Sequence, residues 1–241
     1  MLSPLTVSAK SDVSADNTMA DFKRLKLAIE QAVADFEKTP MNEFSYRVTR
    51  YENEEGTETS SVEAFSPQTS EANQWSLLQK NQRAPTFEEQ QAFASQKQNQ
   101  HSHTVVKLSE LIVFDSLTTK VVTDSAVHAD FDVQFERLGA NTSSYLKGTL
   151  VYDVNNKFIT TIDITNTESF SPVFAATIDK LEVTMSFTKQ QEIILPLNIN
   201  MSMQGRFAFL SKINETSSDS YSNFRYVGPA DSHSTTRESA K

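Results

Sequence analysis

Leu181-Glu182-Val183-Thr184-Met185-Ser186-Phe187-Thr188 and, soon after it, Leu195-Pro196-Leu197-Asn198-Ile199-Asn200-Met201-Ser202-Met203-Gln204 decide the fold. Both stretches alternate apolar with polar residues. A period of two sends successive side chains to opposite faces of a pleated strand. Earlier, Phe131, Val133 and Phe135 alternate in the same way with Asp130, Asp132, Gln134 and Glu136. One face is therefore apolar and the other wet, the pattern of an antiparallel sheet with one covered side. From Val127 to Leu210 the chain reads as a run of such long strands. Asn155-Asn156 separates two of them and supplies residues that tolerate positive φ, so it reads as a hairpin turn. Gly205 keeps the phase of its strand and marks a sharp coil or a close backbone approach.

Downstream, Ser211 to Ser220 reads as a polar loop, and Tyr221, Phe224 and Tyr226 as a short terminal strand. Pro229 to Lys241 has almost no apolar content and reads as a disordered tail. Upstream, residues 10–17 are polar and read as irregular. Asn17 or Thr18 then caps a helix in which Phe22, Leu25, Ile29, Val33 and Phe36 recur at helical spacing, ending before Pro40. Its mixed charges fit packing on a sheet better than a membrane surface. Phe44, Tyr46 and Val48 give a first strand, Glu52 to Gly56 an acidic turn, and Thr57 to Phe65 a second strand with Val62 and Phe65 as its apolar content. A third short segment contains Trp75, Leu77 and Leu78. Thr86 and Glu89 form a capping box that opens a Gln-rich helix to about Gln98, with a thin apolar face of Phe87, Phe93 and Ala94. Between Val105 and Phe114 a strand and a short buried helix are both compatible with the pattern. The fold class is thus α+β, mostly β: a long curved antiparallel sheet, an open half-barrel, covered by an N-terminal helix and a short second helix. One domain is expected over 18–228.

Composition excludes several functions. The 241 residues include no cysteine, so disulfides, thiolate metal sites and cysteine nucleophiles are absent. With a net charge of −9 and no basic cluster beyond Lys23, Arg24 and Lys26, nucleic-acid binding is not expected. No run of about 18 apolar residues occurs, so no transmembrane helix is expected. Leu2 to Ala9 admits two readings: the end of a secretory signal with Val7-Ser8-Ala9 as its small-residue cleavage site, or an ordinary irregular N-terminus. The first would place the chain outside the cytoplasm.

No catalytic motif stands out: G-x-S-x-G, GxGxxG, a Walker loop and H-E-x-x-H are all missing. His101 and His103 share a face if extended, and His128, Asp130 and Asp132 lie on the polar phase of the next long strand. A solvated polar face is the plainer account of them, so neither metal nor cofactor is expected. Met185, Met201 and Met203 sit in phase with Leu, Ile and Phe, as flexible core filling does. In the long strands the ionisable residues take the polar phase. An active site needs such groups converging in a pocket, so a non-catalytic protein is expected.

The order of elements resembles a known architecture. The helix ending near Phe36 is followed by Phe44-Ser45-Tyr46-Arg47-Val48, by Trp75-Ser76-Leu77-Leu78, and by Arg83-Ala84-Pro85-Thr86-Phe87-Glu88-Glu89 opening a helix. Then come strands such as Leu146-Lys147-Gly148-Thr149-Leu150-Val151-Tyr152 and Phe158 to Ile164, ending at Tyr221 to Gly228. This resembles the uncharacterised bacterial envelope proteins of LolA/LolB-like, outer-membrane lipoprotein-sorting-like architecture, over residues 18–228. The lipobox cysteine has no counterpart here, so no lipid anchor is expected. The resemblance implies a periplasmic or otherwise exported protein with an apolar cavity for an acyl chain, a lipid or a lipidated partner. The candidate lining is Phe22 and Ile29 on the helix, then Phe131, Val133 and Phe135, then Phe158 and Ile162. Leu181, Met185 and Phe187 follow, and then Leu197, Ile199, Met201 and Met203. The alternative is a structural or interaction protein whose core is filled by these same side chains and which acts through its surface or a sheet edge. Sequence sets neither the oligomeric state nor the choice between these two.

Overall fold

The computed structural model describes residues 12–69, 74–99, 107–135, 139–208 and 211–228. Helix α1 (Asp12–Glu37) precedes strands β1 (Phe44–Glu54), β2 (Thr57–Phe65) and β3 (Trp75–Lys80). Helix α2 (Phe87–Asn99) and a single turn α3 (Leu108–Leu111) lead into β4 (Ile112–Val122) and β5 (Ala126–Val133). After the short α4 (Gly139–Ser143) come β6 (Leu146–Asp153), β7 (Phe158–Asn166), β8 (Ala176–Gln190), β9 (Ile193–Phe207) and β10 (Ser211–Tyr226). The ten strands form one curved, unclosed antiparallel sheet in the order β3-β2-β1-β10-β9-β8-β7-β6-β5-β4. β4 to β10 is a meander. The N-terminal strands attach to its last strand, so β1 and β10 close the longest sequence separation in the fold.

Register lets one face be followed across the sheet. Phe131 lies opposite Gly148 and Ala129 opposite Leu150; Leu150 opposite Ile162, Ile162 opposite Met185, and Met185 opposite Ile199. Ile199 is opposite Asp219, Asp219 opposite Arg50, and Arg50 opposite Ser61. Paired residues point the same way, so these side chains share one inner face. Helix α1 lies on it, with Ile29, Ala32, Val33 and Phe36 buried against Phe131, Leu150, Ile162, Met185 and Phe187. The Phe36 and Phe187 rings meet edge to face at 4.9 Å.

Two glycines are explained by close approaches. A Cβ at Gly148 would lie 2.1 Å from the Phe131 ring, so the ring occupies the side-chain space of the facing strand. A Cβ at Gly205 would lie 2.2 Å from the Thr177 carbonyl oxygen, where the β8/β9 register shifts between Ile178 and Lys180. This is the close approach its place in the strand pattern predicts.

Several expectations are corrected. α1 begins at Asp12, ahead of Asn17 and Thr18, so residues 12–17 are helical rather than irregular; a nucleated helix extends through polar residues at little cost. Residues 211–220 are not a loop but the first part of β10, hydrogen-bonded to β1 and β9 on its two sides. Backbone pairing on both edges sustains a strand whose side chains stay wet. In the Val154–Lys157 turn it is Lys157, not either asparagine, that takes positive φ; the Asp153 carboxylate accepts the N–H groups of Asn155 and Asn156. Of the two readings before Phe114, a helical turn at Leu108–Leu111 applies, and it feeds β4, which adds a strand ahead of Val127. Val7-Ser8-Ala9, His101, His103 and the 229–241 tail lie outside the described residues.

Candidate functional site

The inner face divides into two unequal parts. Under α1 it is packed. Ile29, Phe131, Val133, Phe158, Ile162, Met185 and Phe187 are all buried there. The interstice bounded by Ala32, Phe36, Leu108, Ile159, Phe187 and Ile194 is too tight for a water molecule. Beyond α1, toward β10, the face opens. Leu181, Ile199 and Met203 are only half-buried and pack against the edge of the core, as do Val183 and Ile213. Met201 lies in register between Val183 and Ser217 and is half-buried as well. Phe22 on α1 is half-buried, whereas Phe135 and Leu197 are exposed.

Leu197 leaves the face for a specific reason. Ser186 pairs with Asn198 but Phe187 pairs with Pro196, so Leu197 is the extra residue of a bulge. The bulge shifts the phase of β9. Ile194 joins the α1 core, and Leu195 passes to the opposite phase, where it is fully buried. Simple alternation through Leu195, Leu197 and Ile199 conceals this.

At the other end of the face, β1, β2 and β3 carry a second cluster. Phe44, Tyr46, Val48 and Phe65 are buried, and Trp75, Tyr221 and Phe224 pack against them. Tyr46 lies 5.2 Å from Phe65, 5.8 Å from Trp75 and 5.4 Å from Phe224, centroid to centroid. Burial pushes the phenols of Tyr46 and Tyr221 above their ordinary value.

Beside these rings runs an alternating chain of charges drawn from four elements. Lys97 of α2 places Nζ 2.9 Å from Glu63 Oε2. Arg50 Nε donates to Glu63 Oε1 at 3.0 Å, and Ser61 Oγ donates to the same oxygen at 3.2 Å. The Arg50 guanidinium also donates to the Asp219 carboxylate on β10. Glu63 is 4% exposed, so the two cations are what make its charge tolerable there. Burial works against the Arg50 charge, yet Glu63 and then Asp219 outweigh it and hold its pKa above the usual value. Asp219 is pushed up by burial, against the pull of Arg50.

Helix α2 is fixed to the sheet by this chain more than by apolar contact. Phe93 is buried and the Lys97 ammonium lies 4.5 Å over the Trp75 ring. Phe87, expected on the packed face, is 68% exposed. The capping box at its N-terminus is present: Thr86 N–H donates to Glu89 at 2.8 Å and Glu89 N–H to Thr86 Oγ1 at 3.3 Å. Arg83 clasps the Glu89 carboxylate with two bonds of 2.8 and 2.7 Å. Arg83, with Thr86, holds that carboxyl down to about 2.

Sequence reasoning missed Arg50, Glu63 and Asp219. Counting back by two from Phe65 reaches Glu63 and Ser61, so the inner phase of β2 is readable; Val62, the other apolar residue of the strand, lies on the opposite phase and is only half-buried. His128 is exposed, Asp130 pairs with Lys120 at 2.7 Å and Asp132 with Lys147. Among the described residues no group of three metal-ligating side chains converges, and no helix is long and apolar enough to cross a membrane. The arrangement offers shape, apolar surface and paired charge, which suits binding.

A DUF1329 family protein from Desulfovibrio piger ATCC 29098 is similar in structure, with a TM-score of 0.32 and 8% identity over 81% of this chain and 90% of that one. No family model and no curated protein matches the chain.

Proposed function

We propose that this is a non-catalytic bacterial envelope protein, periplasmic or otherwise exported, that binds an acyl chain, a lipid or a lipidated partner on the inner face of its sheet. The observation that carries the reading is the half-buried apolar strip of Leu181, Val183, Ile199, Met201 and Met203 between the α1 core and β10. Side chains of this kind, unbranched Met among them, adapt to a flexible hydrocarbon. The resemblance in element order to LolA/LolB-like envelope proteins supports the same reading. The tight packing under α1 favours a second one: a filled-core protein that acts through its surface or a sheet edge.

Native mass spectrometry of the exported chain, followed by solvent extraction, tests the first reading. A stoichiometric adduct that extracts as a fatty acid or phospholipid is expected, and Met203→Asp should abolish it. A bare mass, unchanged on adding fatty acid or lipopeptide, would overturn it in favour of the second.

A further inference from the structure

A group of exposed apolar side chains lies where the connection between β7 and β8 meets the end of β9. Phe174 is 100% exposed and its neighbour Val173 60%, at the apex of the connection between β7 and β8. Phe207, at the end of β9, is 51% exposed and lies opposite Ala176. The connection is built to hold this apex. Phe170 is buried, exchanges two backbone hydrogen bonds with Ile178 at 3.0 and 2.8 Å, and stacks on Tyr145. Ala176 N–H closes a turn on the Val173 carbonyl, and Ala208 N–H donates to the Ala175 carbonyl at 2.7 Å. Ala175 takes φ +77°, a conformation that disfavours residues with a Cβ. The chain thus accepts local strain in a turn whose tip presents Phe174 to solvent.

We propose that this end of the molecule docks on a lipid bilayer, with Phe174, Val173 and Phe207 inserted among the headgroups and upper acyl chains. Their small extent argues for a bilayer over a protein partner. Three exposed side chains fall far short of the roughly 800 Å² per partner of a stable protein interface, whereas apolar side chains at a loop apex need only a soft apolar medium. The nearby charges include two ion pairs, Arg206 with Asp179 at 3.3 Å and Lys180 with Glu182 at 2.9 Å. With a net charge of −9 overall, the chain gains nothing from anionic lipid at long range. Insertion therefore drives binding, and zwitterionic vesicles suffice.

The test is co-sedimentation of the full chain with phosphatidylcholine vesicles, for wild type, Phe174→Leu, Phe174→Ser and the double variant F174S/F207S. Wild type and Phe174→Leu are expected to bind. Phe174→Ser should lose about tenfold in partitioning and the double variant more, from the apolar area withheld. The unfolding temperature of Phe174→Ser should be unchanged, because Phe174 has no burial to lose. Wild type remaining in the supernatant, or Phe174→Ser binding as wild type does, would overturn the proposal. So would self-association in the absence of vesicles that Phe174→Ser abolishes, which would make the tip a contact between copies. Adduct mass measured on Phe174→Ser keeps this separate from the inner-face reading, since an acyl chain held on the inner face is retained when the tip is altered.

Discussion

Two helices lie on the same face of the same sheet, and they are held there by different physics. α1 turns four buried apolar residues, Ile29, Ala32, Val33 and Phe36, into a core shared with β4 to β9. α2 buries one phenylalanine and is otherwise fastened by Lys97 to Glu63 and Trp75, and by Arg83 to Glu89. Apolar burial is not screened by salt and does not titrate, whereas ion pairs are screened and do titrate. α2 is therefore expected to detach more readily than α1, and its chain of charges ends at Asp219, which lies opposite Ile199 of the half-buried strip proposed to bind a hydrocarbon. Trp75, the single tryptophan, sits under Lys97 and reports on the α2 half alone.

Phe131→Ala would strike the α1 half hardest. It empties a fully buried site facing Gly148 and should cost about 3–5 kcal/mol of global stability by denaturant unfolding. A loss below 1 kcal/mol would mean that the two halves do not differ as described. Gly148→Ala attacks the same contact from the other strand, and overpacking against a ring that cannot move should cost about 1–3 kcal/mol in the same assay.

Lys97→Ala sharpens the contrast. It leaves Glu63 with Arg50 and Ser61 and removes the cation from Trp75. Trp75 emission should shift to the red while the global denaturation midpoint moves little; equal shifts in both would show that α2 unfolds only with the body. Thr86→Ala removes the α2 cap, at a cost of about 1 kcal/mol to that helix, to be read as faster amide exchange in 87–99 with β6 and β7 unaffected.

The smallest effect is the response to acid. The folded Glu89 carboxyl is depressed to about 2 from an ordinary 4.5. Its contribution is therefore complete above about pH 4.5 and is lost as pH falls toward 2. The Trp75 signal should show a component across that window, and Glu89→Gln should remove it.

How legible these halves were in the sequence follows from the same difference. The α1 half could be read because its signal is apolar periodicity: Ile29, Val33 and Phe36 at helical spacing, and Phe131, Ile162 and Met185 in strands. The α2 cap was legible too, since a capping box is a local pattern of two residues. β10 was not, because residues 211–220 are polar and are made a strand by backbone partners far away in sequence. Nor was the Lys97–Glu63–Arg50–Asp219 chain, whose members stand on four separate elements.

By itself the sequence determined the class of this protein, an antiparallel sheet with one apolar face and a helix to cover it. Period and amphipathicity are local properties that any short window displays. Only the tertiary structure decided which apolar residues are packed, which are half-open and which are exposed. The bulge at Leu197 resets the phase of β9, β1 joins β10 across the length of the chain, and the turn at Ala175 lifts Phe174 into solvent. Each of these depends on where a second segment lies, and that is fixed by pairing between distant residues rather than by the order of neighbours along the chain.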